Sequence, residues 1–304
     1  MKNNIDLHLH TYYSDGSDSP AEVVKRASEL GFQTICITDH DTTDGVAEAL
    51  EAGKKYGVTV APGIEFSAKC EMPDAFNAGK MKTYYMHILG IGIDPENKPL
   101  KAQLEIIRGQ RAERNDAYIR WFRANGVDLT TDELKKYSPA GFIGKMSFAK
   151  ALVERNLCKD VKDAFKDPRY LAHPEVKAIR RQKIEAATAI GLINEAGGLA
   201  FFAHPFQLKY DGYQMDSTRM YRQNLEMLIA TLSAVNLSGI EAYYPTHDEE
   251  STGYLQGLAD YLGLLISRGS DDHGKGIHSE KNMGGLICEP DPKKLIWTDV
   301  FNRL

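Results

Sequence analysis

Between residues 5 and 65 the 304-residue chain runs three times through the same unit, a short apolar run whose exit carries histidine or a carboxylate. Ile5 to Leu9 leads into His10, Phe32 to Thr38 into Asp39-His40-Asp41, and Val58 to Ile64 into Glu65. Helical stretches with clear punctuation separate the runs. Ser19-Pro20-Ala21-Glu22 is a capping box with proline at the first helical position, and Gly31 stops that helix. A second helix is predicted from about Thr43 to Tyr56, ended by Gly57. This alternation implies parallel strands joined by right-handed crossovers, hence an α/β class. It also places each polar exit at the C-terminal end of a strand, where barrel enzymes carry their chemistry.

Strand alternation makes the first run more specific. Asp6, His8 and His10 fall on one face, with Ile5, Leu7 and Leu9 on the other. Two imidazoles on the same side of a strand end can grip one divalent ion, and Asp15 follows in the next loop.

The remaining chain continues the pattern around an interruption. A polar stretch, Lys69 to Lys82, precedes an apolar strand from Tyr84 to Ile91 that contains His87. Residues 94–181 read as helical throughout, with a long amphipathic helix from Lys101 to Asn125 and further starts at Thr130 and Ser147. The βα rhythm then resumes. Strands at Gly198–Ala203, Gly239–Tyr244 and Leu264–Ser267 end near His204, His247 and Asp271-Asp272-His273, and weak apolar material at Gly285–Cys288 offers one more. Seven strands are therefore expected in a barrel made by residues 1–93 and 182–304, with 94–181 as an inserted helical subdomain.

Composition narrows the function classes. Hydrophobic content of 42% and charged content of 26% are those of a soluble globular protein. No run of about eighteen apolar residues occurs, and no signal-peptide core stands at the N-terminus, so no membrane span and a cytoplasmic location are expected. The four cysteines form no C-x-x-C pair and read as isolated thiols. A net charge of −5 argues against an extended nucleic-acid surface, while leaving room for a local basic pocket that holds phosphate.

Six of the nine histidines, namely His8, His10, His40, His87, His204 and His273, occupy these strand-end positions, together with Asp15, Glu65 and Asp271. Burying nine such groups together without a cation would be costly. Mixed imidazoles and carboxylates suit zinc, manganese or iron, and the count suits two or three ions with a bridging carboxylate such as Glu65.

The segments HLHTYYSDG, TDHD, GIEFS, MHILG, AHP and SDDHG resemble the PHP family, named for polymerase and histidinol phosphatase members, and in particular its stand-alone nucleotide-acting phosphoesterases. The resemblance spans residues 5 to about 290. It implies a distorted seven-stranded (β/α) barrel and a trinuclear site. One ion would take His8, His10, Glu65 and Asp271, a second Glu65, His87 and His204, and a third Asp15, His40 and His273. Asp15 stands where some members have histidine. The implied reaction is in-line attack on phosphorus by a hydroxide held between ions, with Glu65 and Asp271 essential. His247 is a candidate for protonating the leaving oxygen or holding phosphate.

Asp39 and Asp41 flank His40 and are candidates for supporting ligand histidines, although helix capping by Asp41 is a competing role. For the substrate, the family's G-R-P-H-like motif corresponds to Gly144-Lys145-Met146-Ser147, which makes Lys145 a phosphate contact, and Arg111 is a second candidate. The expected activity is hydrolysis of a small phosphate monoester, a nucleoside 3′,5′-bisphosphate or 5′-monophosphate. The alternatives are an exonuclease on RNA or DNA ends, a histidinol-phosphate phosphatase and a non-catalytic metal-binding module.

Overall fold

The computed structural model describes residues 5–74, 79–210, 213–214, 219–274 and 282–285. Strand β1 (Ile5–Leu9) is followed by α1 (Pro20–Glu29), β2 (Thr34–Ile37), α2 (Val46–Tyr56) and β3 (Thr59–Pro73), with β1, β2 and β3 parallel neighbours. The α1 capping box is present, Ser19 and Glu22 each accepting the other's backbone N–H. Val23, Val24 and Ala27 of α1 and Ala49 and Ala52 of α2 bury against Leu9, Ile35, Ile37 and Val60. Helix α2 begins at Val46, three residues later than its sequence suggests, because Gly45 is its N-cap and Asp41 is engaged elsewhere.

The next strand, β4 (Met81–Ile91), departs from the expected pattern. It runs antiparallel to β3 along a ladder from Gly63↔Ile91 to Pro73↔Met81. Lys69–Pro73 and Lys82, expected in a polar loop, therefore belong to a long hairpin. Alternation does exist there, with Ala68 and Met72 buried and Glu71 and Pro73 exposed, but charged outward residues mask it. Consequently Glu65 and His87 sit within strands rather than at their ends.

Helices α3 (Lys98–Ala124), α4 (Thr131–Lys135), α5 (Lys145–Glu154), α6 (Val161–Lys166) and α7 (Pro174–Ala178) follow, with no strand among residues 94–181. They share an apolar cluster of their own that includes Tyr118, Phe122, Leu134, Phe148, Leu152, Ala164 and Val176. The chain returns through β5 (Ile184–Glu185), α8 (Ala186–Glu195) and β6 (Leu199–Phe202), then the short β7 (Lys209–Tyr210) and β8 (Tyr213–Gln214). It continues as α9 (Arg219–Ser233), β9 (Gly239–Tyr243), α10 (Glu249–Leu262) and β10 (Leu265–Arg268). The main path of the mostly parallel sheet is β1-β2-β3-β4-β6-β9-β10, with β5, β7 and β8 off it. A parallel bridge between Leu9 and Asp272 joins the two ends of that path. The strand expected at Gly285–Cys288 lies, beyond Gly285, outside the described residues. No helix among the described residues is long and apolar enough to cross a membrane.

Where β3 passes between β2 and β4, only glycine fits at position 63. A Cβ there would collide with Cys36 Sγ and lie 2.8 Å from Ile37 O and 2.9 Å from Gly90 O. Gly63→Ala is expected to destabilise the fold by about 2 kcal/mol through this overpacking. Urea unfolding checks it, and an unchanged midpoint would show that the three strands can separate without loss.

Candidate metal centre

The centre is built on Glu65, fully buried in β3. Its Oε1 lies 2.9 Å from His87 Nδ1, 3.1 Å from His204 Nε2 and 3.2 Å from His8 Nε2. Its Oε2 lies 2.8 Å from His40 Nδ1 and 3.2 Å from His10 Nε2. Five imidazoles from β1, β4 and the exits of β1, β2 and β6 thus meet on one carboxylate. Burial alone would raise the Glu65 carboxyl, but His40, with His8 and a hydrogen bond from His10, holds it well below the usual carboxylate range.

Asp271 and Asp15 extend the cluster to either side. Asp271 Oδ1 is 3.1 Å from His10 Nε2 and 3.4 Å from His8 Nε2, while Asp15 Oδ1 is 3.3 Å from His273 Nε2. His40 Nε2 reaches Asp15 Oδ2 at 3.9 Å. All nine residues singled out in the sequence therefore lie in one continuous group. Its tightest subsets are His10, Asp15, His40 and His273; His8, Glu65 and His204; His8, His10 and Asp271; and His40, Glu65 and His87. Relative to the carried-over sets, His10 also approaches Asp15, and His87 groups with His40 as well as with His204.

The chemistry of this donor set fits divalent cations. His8 Nε2 and His10 Nε2 are 3.1 Å apart, and Glu65 Oε2 and His40 Nδ1 are buried with no hydrogen-bond partner despite their closeness. Burial pushes His87 down to about 3, aided by His40 and His204, so its imidazole is a neutral donor. Strain is concentrated here too: Asp41, His204 and Asp271 hold φ of 56°, 28° and 53°, a region that side-chain-bearing residues rarely adopt.

Supporting groups came largely unannounced by the sequence. Glu241 of β9, fully buried, lies 3.0 Å from His8 Nδ1 through Oε1 and accepts the His204 N–H at 2.7 Å through Oε2. Gly269 permits this: a Cβ there would strike His8 Cβ and lie 2.5 Å from Glu241 Oε1. Tyr244 donates to Asp271 Oδ2 at 2.7 Å, and Gln207 donates to Tyr244. Asp39 accepts from Ser14 Oγ, which lies 3.4 Å from His10 Nδ1. A single carboxylate inside an apolar strand was the available signal for Asp6 in β1 and Glu241 in β9. Asp6 instead accepts the Ser270 N–H at 2.9 Å, beneath the centre.

The centre opens into a cavity of about 790 Å3. Lys69, Arg111, Arg114, Lys145, Lys150, Lys177, Arg180, Arg181 and Lys183 line it, together with Tyr85, Tyr118, Tyr137 and Phe142. The net charge of the chain had concealed this concentration of cations. Arg111 stacks its guanidinium 3.8 Å from the Phe142 ring centre and donates to Asp41 Oδ2 at 2.8 Å. Lys145 is the first residue of α5 and also lines the cavity, whereas Ser147 is turned to Ser138 Oγ and the Gly144 N–H. Asp41 does not cap α2. It receives Arg111, Arg181 at 2.5 Å and the Ser67 N–H at 3.0 Å.

His247 lies apart from the cavity lining. It is buried, donates through Nδ1 to Ala242 O at 3.0 Å, and packs against Phe206 and Tyr244. A loop histidine beside a strand exit looks like a site residue in sequence, but the turn folds it behind Tyr244.

Residues 6–265 match the model of the PHP domain. The chain belongs to the PHP family. Among PHP relatives, it is 31% identical over 302 residues to the 3′,5′-nucleoside bisphosphate phosphatase of Chromobacterium violaceum, covering 99% of this chain and 98% of that protein. It is 30% identical over 273 residues to a 5′-3′ exoribonuclease of Haemophilus influenzae, covering 90% and 91%. A solved structure named an amidohydrolase from Chromobacterium violaceum superposes with a TM-score of 0.79 at 32% identity, covering 99% of this chain and 96% of that one.

Asp41 offers a direct test of how the PHP centre is tied to the helices above it. Burial would raise its carboxyl, but Arg181 and Arg111 bring it down to about 2 from the ordinary 3.8. The stabilisation is therefore complete above the ordinary value and is lost as pH falls towards 2. Asp41→Asn is expected to cost about 3 kcal/mol in urea unfolding at neutral pH, because two guanidiniums lose their counter-ion. A loss under about 1 kcal/mol would place the pair among exposed ion pairs of little consequence.

Proposed function

We propose that this PHP protein is a metal-dependent phosphoesterase that hydrolyses a small phosphate monoester, a nucleotide such as a nucleoside 3′,5′-bisphosphate or 5′-monophosphate. The observation that carries the reading is the placement of nine convergent imidazoles and carboxylates at the base of a cavity walled by cations. The name of the Chromobacterium relative supports the substrate class. The bridge from Leu9 to Asp272 supports a distorted barrel, and the separate apolar cluster of α3–α7 supports a capping subdomain over residues 94–181.

Two or three ions of zinc, manganese or iron would be held by His8, His10, Glu65 and Asp271, by Glu65, His87 and His204, and by Asp15, His40 and His273. When bound, such ions polarise phosphoryl oxygens and lower the pKa of water, supplying a nucleophile at neutral pH. The protein's own groups do the positioning. Glu241 fixes the His8 ring by its Nδ1 and so turns Nε2 inwards, and Tyr244 orients the Asp271 carboxylate. Arg111 and Lys145, facing the same cavity, neutralise phosphate and orient the ester. The α3–α7 helices above the centre limit water and select the leaving group.

Two measurements test this reading. Metal-reconstituted protein is expected to release phosphate from at least one nucleotide in a panel that includes p-nitrophenyl phosphate, histidinol phosphate and a 5′-phosphorylated oligoribonucleotide; turnover of none removes the proposal, and preference for the oligonucleotide converts it to an exonuclease. Glu241→Gln is expected to weaken metal affinity by about 10- to 100-fold with the fold intact, as loss of an outer hydrogen bond to a ligand histidine does. Metal titration followed by elemental analysis reads this, and an unchanged affinity would show that Glu241 does not orient the ligands.

A further inference from the structure

Where α3 meets the segment leading into β5, the cavity wall carries more positive charge than its carboxylates offset. Arg111 and Arg114 come from α3, and Arg181 and Lys183 from the residues just before β5. Among the described residues, the acidic groups lining the same cavity are Asp15, within the ligand cluster, and Asp41. Asp41 is shared by Arg111 and Arg181, so one carboxylate faces four cations. Burial and the adjacent Arg181 push the Lys183 ammonium down to about 7.

Hydrogen bonding shows the same deficit. Arg181, 9% exposed, gives Nη2 to Asp41, but its Nη1 is buried with no acceptor among the described residues. Arg114 donates through Nη2 to Asn115 Oδ1 and Ile143 O, yet its Nε is likewise buried with no acceptor among the described residues. Buried guanidinium nitrogens without acceptors are costly, and adjacent cations repel one another. A planar fork of donors on each arginine matches phosphate oxygens.

We propose that Arg114, Arg181 and Lys183 form a second anion site, which holds a phosphate of the substrate other than the one that is cleaved. The inference rests on the phosphoesterase reading and narrows it to small molecules bearing two separate phosphate groups. The position suits this. Asp41 follows His40 directly and accepts from Arg181, and both His40 and the cation group line the same cavity, so the cation group adjoins the ligand cluster. The cavity of about 790 Å3 lies within the range of roughly 300–1,000 Å3 typical of small-molecule sites. Hydrolysis at the ligand cluster breaks the P–O bond of one phosphate and leaves the other on the product, which stays anchored by the same cations and competes with substrate.

The test compares wild type with Arg114→Met and Lys183→Met in two arms. With metal loaded, the ratio of kcat/KM for adenosine 3′,5′-bisphosphate to that for p-nitrophenyl phosphate is expected to fall by at least about tenfold in each variant, the size of one lost charged hydrogen bond. Metal content and unfolding midpoint are measured alongside, and Lys183→Arg is expected to restore the ratio. In the second arm, metal-free protein is titrated with adenosine 3′,5′-bisphosphate, and affinity is expected to fall by about the same factor. An unchanged ratio and unchanged affinity in both variants overturn the second site while leaving the phosphoesterase reading standing. If no ester is hydrolysed, the phosphoesterase reading falls and with it the assignment to a substrate phosphate. A higher kcat/KM for a 5′-phosphorylated oligoribonucleotide than for the bisphosphate overturns the small-molecule class.

Discussion

A buried carboxylate surrounded by five imidazoles is the constraint on which the rest of this molecule depends. Glu65 has no solvent and meets His8, His10, His40, His87 and His204 within 3.2 Å. Such a group is stable only if every neighbour is held in place, because a single displaced imidazole would leave charge without a partner in a low-dielectric interior. The surrounding sheet supplies that rigidity. β3 is bonded on one side to β2, on the other to β4, and a bridge from His40 to Glu65 carries the pairing beyond the end of β2. Unusual backbone at Asp41, His204 and Asp271 is the conformational cost of turning three chain exits inward to the same point.

Electrostatics links this centre to the helices beyond it. Asp41 stands next to His40 in sequence and receives one arginine from α3 and another from the residues before β5. The helical block is thereby tied, from the middle of α3 and from the block's last residue, to the loop that carries a candidate ligand. The same interaction organises the cavity, since it fixes the guanidinium of Arg111 over Phe142 and brings Arg181 and Lys183 to the wall. A chain with a net charge of −5 thus presents a cavity wall on which nine lysines and arginines outnumber the two carboxylates of Asp15 and Asp41 among the described residues.

Much of this was legible before any coordinates. The capping box at Ser19, the stop at Gly57, the helical run of residues 94–181 and the alternation of His8 and His10 depend on local periodicity and on the backbone preferences of single residues. What was misread has a common cause. The hairpin formed by β3 and β4 was hidden because its outer half owes its stability to cross-strand bonds between residues remote in sequence, not to a local apolar pattern. Asp41 looked like a helix cap because its arginine partners lie 70 and 140 residues away. His247 looked exposed to a site because nothing in Tyr244-Pro245-Thr246-His247 announces that the turn packs the imidazole between Phe206 and Tyr244.

The sequence by itself determined which residue types are available at the ends of the strands, and their concentration of histidine and carboxylate identified the chemistry. That information is local: the spacing of His8 and His10 along a strand puts both on one face whatever surrounds them. Tertiary structure alone decided which of those groups meet, that five imidazoles close on Glu65, that Glu241 holds His8, and that cations drawn from two separate segments share one wall. The physical reason is that these are contacts between residues far apart in the chain, fixed by how strands pair and helices pack, and no property of the residues taken singly specifies them.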